Sequence, residues 1–294
     1  MKIGIYGQFY HKEAGQYIQQ LLDILDKKQI EVIIEKNFLK LIHENDTIEK
    51  DYNHFSTFKE LDNSYDLFVS IGGDGTILKT VTYVRDLNIP IVGINTGRLG
   101  FLATIKKNEI ESSIDKILTG KYSISKRSLL QITTSKASEE IGELNFALNE
   151  IAVSRKNTTS MISVKTKLDG EDLTNYWADG LIVATPTGST GYSLSCGGPV
   201  ITPHTSSLIL TPIAPHNLNA RPLVIPDNTV IELSVSGREE QHLISLDSRI
   251  ATLDNETIIT LQKAPFQISL IRLEGDSFLK TLRRKLLWGE DKRN

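Results

Sequence analysis

The chain has 294 residues, 33 basic and 36 acidic side chains, a net charge of -3 with histidines neutral, and 39% hydrophobic residues. That length suits two domains or one large one with a sizeable core, and the mild charge gives no reason to bind nucleic acid or an anionic membrane. The single cysteine, Cys196, excludes an internal disulfide framework and a cysteine-based zinc site, and makes the cytoplasm the expected location. No stretch reaches the ~20 apolar residues of a membrane span.

The segment MKIGIYGQFY lacks the basic head and apolar core of a signal peptide and reads as a first strand, residues 2–7. Tyr17, Ile18, Leu21, Leu22 and Leu25 follow at helical spacing, and Glu31 to Ile34 is a second apolar run. Residues 43–64 are polar and aperiodic and read as loop or marginal helix. The run DLFVSI (66–71) ends in glycines, a helix is expected from Thr76 to about Leu87, and IPIVGIN (89–95) is another strand. Strands alternating with helices predict α/β architecture with a parallel sheet. After residue 104 a helix around 107–119 ends at Gly120. Then come short β-rich runs: SLLQITT, ALNEIAV, MISVKTKL, GLIVATP, SLILTPI, TVIELSV, HLISLDS and TIITLQK. They predict a β-sandwich or curled antiparallel sheet. Phe278, Leu282 and Leu286, four apart with Leu279 beside them, mark an amphipathic C-terminal helix.

Two glycine-rich constellations carry chemistry. In Ile71-Gly72-Gly73-Asp74-Gly75-Thr76 a buried strand runs through a tight turn into a helix N-terminus. Such a turn favours phosphate through its N–H groups and the helix dipole. The central carboxylate would repel phosphate, so Asp74 is expected to hold a metal or to accept a proton from a hydroxyl nucleophile. The spacing fits neither G-x-x-x-x-G-K-[ST] nor G-x-G-x-x-G. The second constellation runs from Asp179 through strand GLIVA into TPTGSTGYSLSCGGP, residues 185–199. Its hydroxyls suit phosphates and ribose, its glycines allow close approach, and Tyr192 offers a stacking face. A loop this long inside a compact domain is usually functional. The pair Asn149-Glu150 is a third feature: an asparagine can pair with an adenine edge and a glutamate with ribose hydroxyls.

GGDGT (72–76), NE (149–150) and TPTGSTGYSLSCGGP (185–199), with NTGRLGFLA (95–103) and ARPLVIP (220–226), resemble the NAD kinase family, and the resemblance runs through the whole chain in order. It implies transfer of the γ-phosphoryl of ATP to the 2′-hydroxyl of the adenosine ribose of NAD, with magnesium held mainly by the ATP phosphates near Asp74. It also implies an N-terminal α/β, Rossmann-like domain (1–103 plus 267–294) and a C-terminal β-sandwich-like domain (104–266). The C-terminal helix would pack back on the first domain, and the nucleotide would lie between the two. Asp74 falls on the family's proton acceptor. Gly75, Lys79, Asn149, Glu150, Asp179, Thr187, Thr190, Gly191, Tyr192, Ser193, Leu194, Ser195 and Ala214 fall on substrate-binding positions. The family's members are usually homodimers or homotetramers.

Gly191 stands where many members have alanine. Trp177 and Ser160 stand where others often carry a basic side chain or histidine, and Arg249 where glutamine is frequent. A lipid kinase sharing the GGDGT turn is a rival reading, opposed by the polar second loop. A catalytically idle NAD(P)-binding sensor is another, opposed by Asp74.

Overall fold

A computed structural model describes residues 1–8, 15–45, 48, 50–97, 100–157 and 160–287. Arg98 and Leu99 of NTGRLGFLA, and Glu290 and Asp291 beyond the C-terminal helix, lie outside the described residues. The chain divides into two compact units, residues 1–126 with 268–294, and residues 127–267.

The first unit contains β1 (Lys2–Gly7), α1 (Gly15–Lys27), β2 (Glu31–Glu35), α2 (Lys36–Asn45), β3 (Asn53–Phe55), β4 (Leu67–Gly72), α3 (Asp74–Val84), β5 (Ile91–Asn95), β6 (Ile105–Lys106) and α4 (Ile110–Leu118). Its strands are parallel in the order β3-β2-β1-β4-β5, with β6 beside β5. Ile18, Leu21, Leu22 and Leu25 of α1 and Ile110, Ile114 and Ile117 of α4 join Ile3, Ile5, Val69 and Ile94 in one core. That sharing places residues 104–126 with the first unit, because β6 extends its sheet and α4 completes its core. The boundary expected at 103/104 therefore moves to 126/127. Residues 43–64 hold the end of α2 and a turn of 3₁₀ helix at Phe58–Glu60, in keeping with marginal helix, and also strand β3, which the loop-or-helix reading does not include.

The strand order reverses at β1. The chain winds outward through β2 and β3, and β4 then adds on the other side of β1. Open parallel sheets bind ligands outside the carboxyl ends of the strands at such a reversal. Gly7 ends β1 there and Gly72 ends β4, so the glycine turn emerges at that point.

In the second unit, β7 (Tyr122–Thr134) brings the chain in. It is followed by β8 (Phe146–Ala147), β9 (Glu150–Arg155), β10 (Ile162–Leu168), β11 (Glu171–Ala178), β12 (Gly180–Ala184), α5 (Tyr192–Ser195), β13 (Ser207–Ile213), β14 (Leu223–Pro226), β15 (Ile231–Gly237), β16 (Gln241–Leu246), β17 (Arg249–Asp254) and β18 (Ile259–Leu273). One antiparallel sheet is ordered β14-β13-β12-β9-β16-β17, and a second antiparallel run is β11-β10-β15-β18. Alternate side chains of both (Ile151, Val153, Leu181, Val183, Val164, Leu233, Leu261) share one core, which makes this unit the expected sandwich. The opposite face of β9, β12 and β13 carries a smaller cluster, Ala152, Ile182, Ala184 and Ile209, against which Cys196 and Ile201 pack. The glycine–hydroxyl segment is thus seated on a sheet face.

The end of β18 returns to the first unit, where Leu270 pairs in parallel with Ile91 of β5. The last helix, α6 (Phe278–Leu286), starts at Ser277, whose hydroxyl accepts from the Lys280 N–H. It buries Leu282 and sets Phe278 beside Phe101, ring centroids 6.4 Å apart, while Leu279 faces solvent. No helix among the described residues is long and apolar enough to cross a membrane.

Candidate functional site

Asp74 is the first residue of α3, and Gly73 is its N-cap. The carboxylate faces the segment after β5. Its Oδ2 accepts from the Phe101 N–H at 2.7 Å, and its Oδ1 accepts from Leu102 and Ala103 at 3.0 Å each. A β-carbon at Gly100 would stand 1.8 Å from Oδ1, so the approach requires glycine there. A β-carbon at Gly73 or Gly75 would meet nothing within 4 Å. The protein's own packing does not demand glycine at those two positions; they leave bare backbone facing open space, as close approach of a ligand requires. Gly75 is exposed and Lys79 is half-buried on the next turn.

In the second unit Glu150 opens β9, with Asn149 before it. Both are held by a residue that sequence reasoning did not single out. Asp247 occupies the two-residue turn between β16 and β17 with φ 53°, the left-handed conformation such turns need. Its Oδ1 accepts from the N–H of Asn149 at 2.8 Å and of Glu150 at 3.2 Å, and its Oδ2 from Leu148 at 2.9 Å. The available signal was an aspartate in the turn of LDSRI, but its partners lie about a hundred residues away.

Glu150 is buried, and its Oε2 has no hydrogen-bond partner. Burial first, then the negative Asp247, pushes its carboxyl up to about 8, against a lowering donation from the Tyr192 N–H. Burial also raises Tyr192 and Cys196, helped by neighbouring acids.

The segment after β12 is more ordered than a loop. Gly188–Thr190 forms a turn of 3₁₀ helix and Tyr192–Ser195 is α5. Much of its hydroxyl inventory is turned inward. The Ser189 hydroxyl donates to Pro186 O and accepts from the Ile201 N–H. Ser193 is fully buried and shares a 2.8 Å hydrogen bond with Thr211. Thr190 donates to Thr187 O, and buried Thr187 accepts from Arg127. The outward groups are Tyr192, 45% exposed, Ser195 and half-buried Leu194. A β-carbon at Gly188 would stand 2.0 Å from Asn149 O, which locks this segment onto the Asn149–Glu150 corner.

Asp179 forms a half-buried ion pair with Arg155 at 2.9 Å. Both line a cleft of about 530 Å³ with Ser160, Trp177, His216 and Arg238. Trp177 is exposed with His216 beside it, centroids 5.4 Å apart. Ala214, exposed at the end of β13, has φ 43°, a strained conformation for a residue with a β-carbon. Arg249 donates to the carbonyls of Leu144 and Phe146 and acts electrostatically on Asp247. Within the second unit the structure thus brings together Asn149, Glu150, Gly191 and Tyr192. Asp74, Gly75 and Lys79 belong to the first unit.

A family model described as the ATP-NAD kinase N-terminal domain matches residues 3–122, and one described as the ATP-NAD kinase C-terminal domain matches residues 148–273. The NAD kinases of Christiangramia forsetii and Flavobacterium psychrophilum are 68% and 57% identical to this chain, each over the full length of both chains. Among solved structures, yeast NADH kinase complexed with NADH has a TM-score of 0.88 at 23% identity, over 99% of this chain and 88% of that one, a likeness of fold alone. The NAD kinase from Archaeoglobus fulgidus in complex with ATP has a TM-score of 0.73 at 27% identity, over 97% of each chain. By class the chain is a phosphotransferase. It belongs to the ATP-NAD kinase family.

Proposed function

We propose that this protein transfers the γ-phosphoryl group of ATP to the 2′-hydroxyl of the adenosine ribose of NAD, making NADP, with Asp74 as proton acceptor. The observation that carries the reading is the fixed Asp74 carboxylate beside the bare backbone of Gly73 and Gly75, at the strand-order reversal of a parallel sheet. The named relatives support the same substrates.

Oδ1 already accepts two backbone N–H groups and Oδ2 only one. A carboxylate oxygen has two lone pairs, so Oδ2 keeps one for the substrate hydroxyl. As the 2′-oxygen bonds to the γ-phosphorus and the bond to the ADP oxygen breaks, the hydroxyl proton passes to Oδ2. Phosphoryl transfer runs through a loose transition state in most analyses, so a weak base that orients the hydroxyl and takes its proton late suffices. The three N–H donors hold that carboxylate in place.

Among the described residues no group of three or more His, Cys, Asp or Glu side chains could hold a metal ion. Magnesium would arrive with ATP, held mainly by its phosphates, and would offset phosphate charge near Asp74. Lys79 adds positive charge one helical turn beyond Gly75. Asn149 and Glu150 hold the nucleoside, Tyr192 stacks on a base, and the backbone of Thr187 to Ser195, with Asp179 and Ala214, lines the dinucleotide. The inward hydroxyls of Ser193 and Thr187 act by shaping that backbone.

The protein works in the cytoplasm as a homodimer or homotetramer in this reading. The lone Cys196, which no disulfide pairs, supports the location. The test is a coupled assay with NAD, ATP and Mg²⁺, in which an NADP-specific dehydrogenase detects product. Product is expected from the wild-type protein. NAD binding without product would support a sensor, and no NAD binding would remove the assignment altogether.

A further inference from the structure

We propose that Glu150 meets its nucleotide as a neutral carboxylic acid, a hydrogen-bond donor, and that Gly191 is the positioning residue that allows it. The proposal deepens the reading above and rests on its placing of the nucleoside at Asn149 and Glu150.

Glu150 is 8% exposed, and its Oε2 is sealed from water without a donor. An ionised oxygen is strongly disfavoured in that position. Among the described residues no cation acts on it directly. Asp247, on the turn packed against it, is an acid that burial also pushes up, against the N–H groups of residues 148–150 and the Arg249 charge, which favour its carboxylate. Tyr192 and Cys196, the titratable groups on α5 and just after it, are also acids. Arg249, the cation of the Asp247 turn, donates to the Leu144 and Phe146 carbonyls and acts on Asp247, not on Glu150. The neighbouring strand β12, Gly180–Ala184, carries no ionisable side chain. Among the described residues, the Tyr192 backbone N–H donates to the carboxyl. The outcome is a carboxyl pushed up to about 8, which keeps its proton at neutral pH.

Gly191 makes that placement possible. A β-carbon there would stand 2.8 Å from Oε2, 3.2 Å from Gly188 O and 3.5 Å from Asn149 Nδ2. The first contact is closer than real β-carbons tolerate, and the movable partner is the end of the Glu150 side chain. Any side chain at 191 therefore turns the carboxyl toward water, where it ionises. With glycine, the protonated carboxyl stays tucked in. Rotation about its soft terminal torsion then presents the O–H to an acceptor atom of the nucleoside. Binding adds burial and a pyrophosphate charge, both of which favour the neutral acid further.

The experiment is calorimetric titration of the full chain with NAD from pH 6 to 9.5. Affinity should be level to about pH 8 and fall by up to tenfold per unit above it, the limit for one required proton. Glu150→Ala should weaken binding at pH 7 by about tenfold, the loss of one hydrogen bond with its partner left unpaired. Glu150→Gln, whose amide mimics the neutral acid as a donor, should recover most of that loss and abolish the break near pH 8. Gly191→Ala should move the break to lower pH by about one unit or more, as the carboxyl gains solvent. Wild-type affinity that rises through pH 8 overturns the proposal without any variant. So does a Gln variant as weak as Ala, or a break that Gly191→Ala leaves in place. Failure of the wild-type protein to bind NAD at any pH overturns both this proposal and the reading on which it rests.

Discussion

Asp74→Asn separates two duties that the carboxylate performs. The best-placed asparagine keeps its carbonyl oxygen toward the N–H groups of Leu102 and Ala103 and turns its NH₂ toward that of Phe101, so one hydrogen bond is replaced by opposed donors. Hydrogen bonds to charged groups contribute about 1.5–3 kcal/mol, and half-burial favours the lower part, about 2 kcal/mol. For a unit of about 150 residues that lowers the melting temperature by about 4–8 °C. The catalytic effect is separate and larger. Removing a positioned proton acceptor lowers kcat by about 10²–10⁴-fold. KM for NAD should stay within about threefold, because a group acting only in the transition state lowers kcat and kcat/KM together. The coupled NADP assay and a thermal melt read the two effects independently. Near-normal kcat in the variant would refute the proton-acceptor role, and an unchanged melt would refute the anchoring of residues 101–103.

Gly100→Ala tests the same arrangement with Asp74 intact. Its β-carbon would fall 1.8 Å from Asp74 Oδ1, so the carboxylate must leave its donors, and kcat should drop at least as far as in Asp74→Asn; a variant with ordinary turnover would show that the contact is not needed. His242, fully buried on β16, pairs Nδ1 with Asn255 Oδ1 at 3.0 Å and leaves Nε2 without a partner. Burial lowers its pKa below the ordinary 6.5. The unfolded chain therefore takes up this proton first as pH falls, so the stability this residue contributes is complete above about pH 6.5 and is lost below it. His242→Leu should flatten the fall in urea midpoint between pH 7 and pH 5, and an unaltered slope would assign the acid sensitivity elsewhere.

The elements with a long, regular apolar period were legible without coordinates. Helix α1 shows Ile18, Leu21, Leu22 and Leu25 in sequence and buries all four. Edge elements were not. Strand β3 has three residues, too few to show a period, and β11 has five consecutive exposed positions with no alternation to read. The domain boundary also escaped a linear reading, because the texture change at residue 104 marks the end of the central strands and not the end of the unit that β6 and α4 complete. Within the second glycine segment, composition showed many hydroxyls but not their direction. Ser193 finds Thr211 across a strand, eighteen residues on, and faces inward.

Local covalent chemistry by itself determined the strand–glycine turn–helix at 71–76, the small hydroxylated run at 185–199 and the Asn149-Glu150 pair, since glycine spacing and residue type are properties of adjacent positions. Only the tertiary structure decided what the carboxyl groups there do. Asp74 is anchored by N–H groups from residues 101–103, and burial beside Asp247 pushes the Glu150 carboxyl up to about 8. Those outcomes depend on desolvation and on charges brought from distant strands. Both are set by which surfaces the fold presses together, and neither has a signature in the order of neighbouring residues.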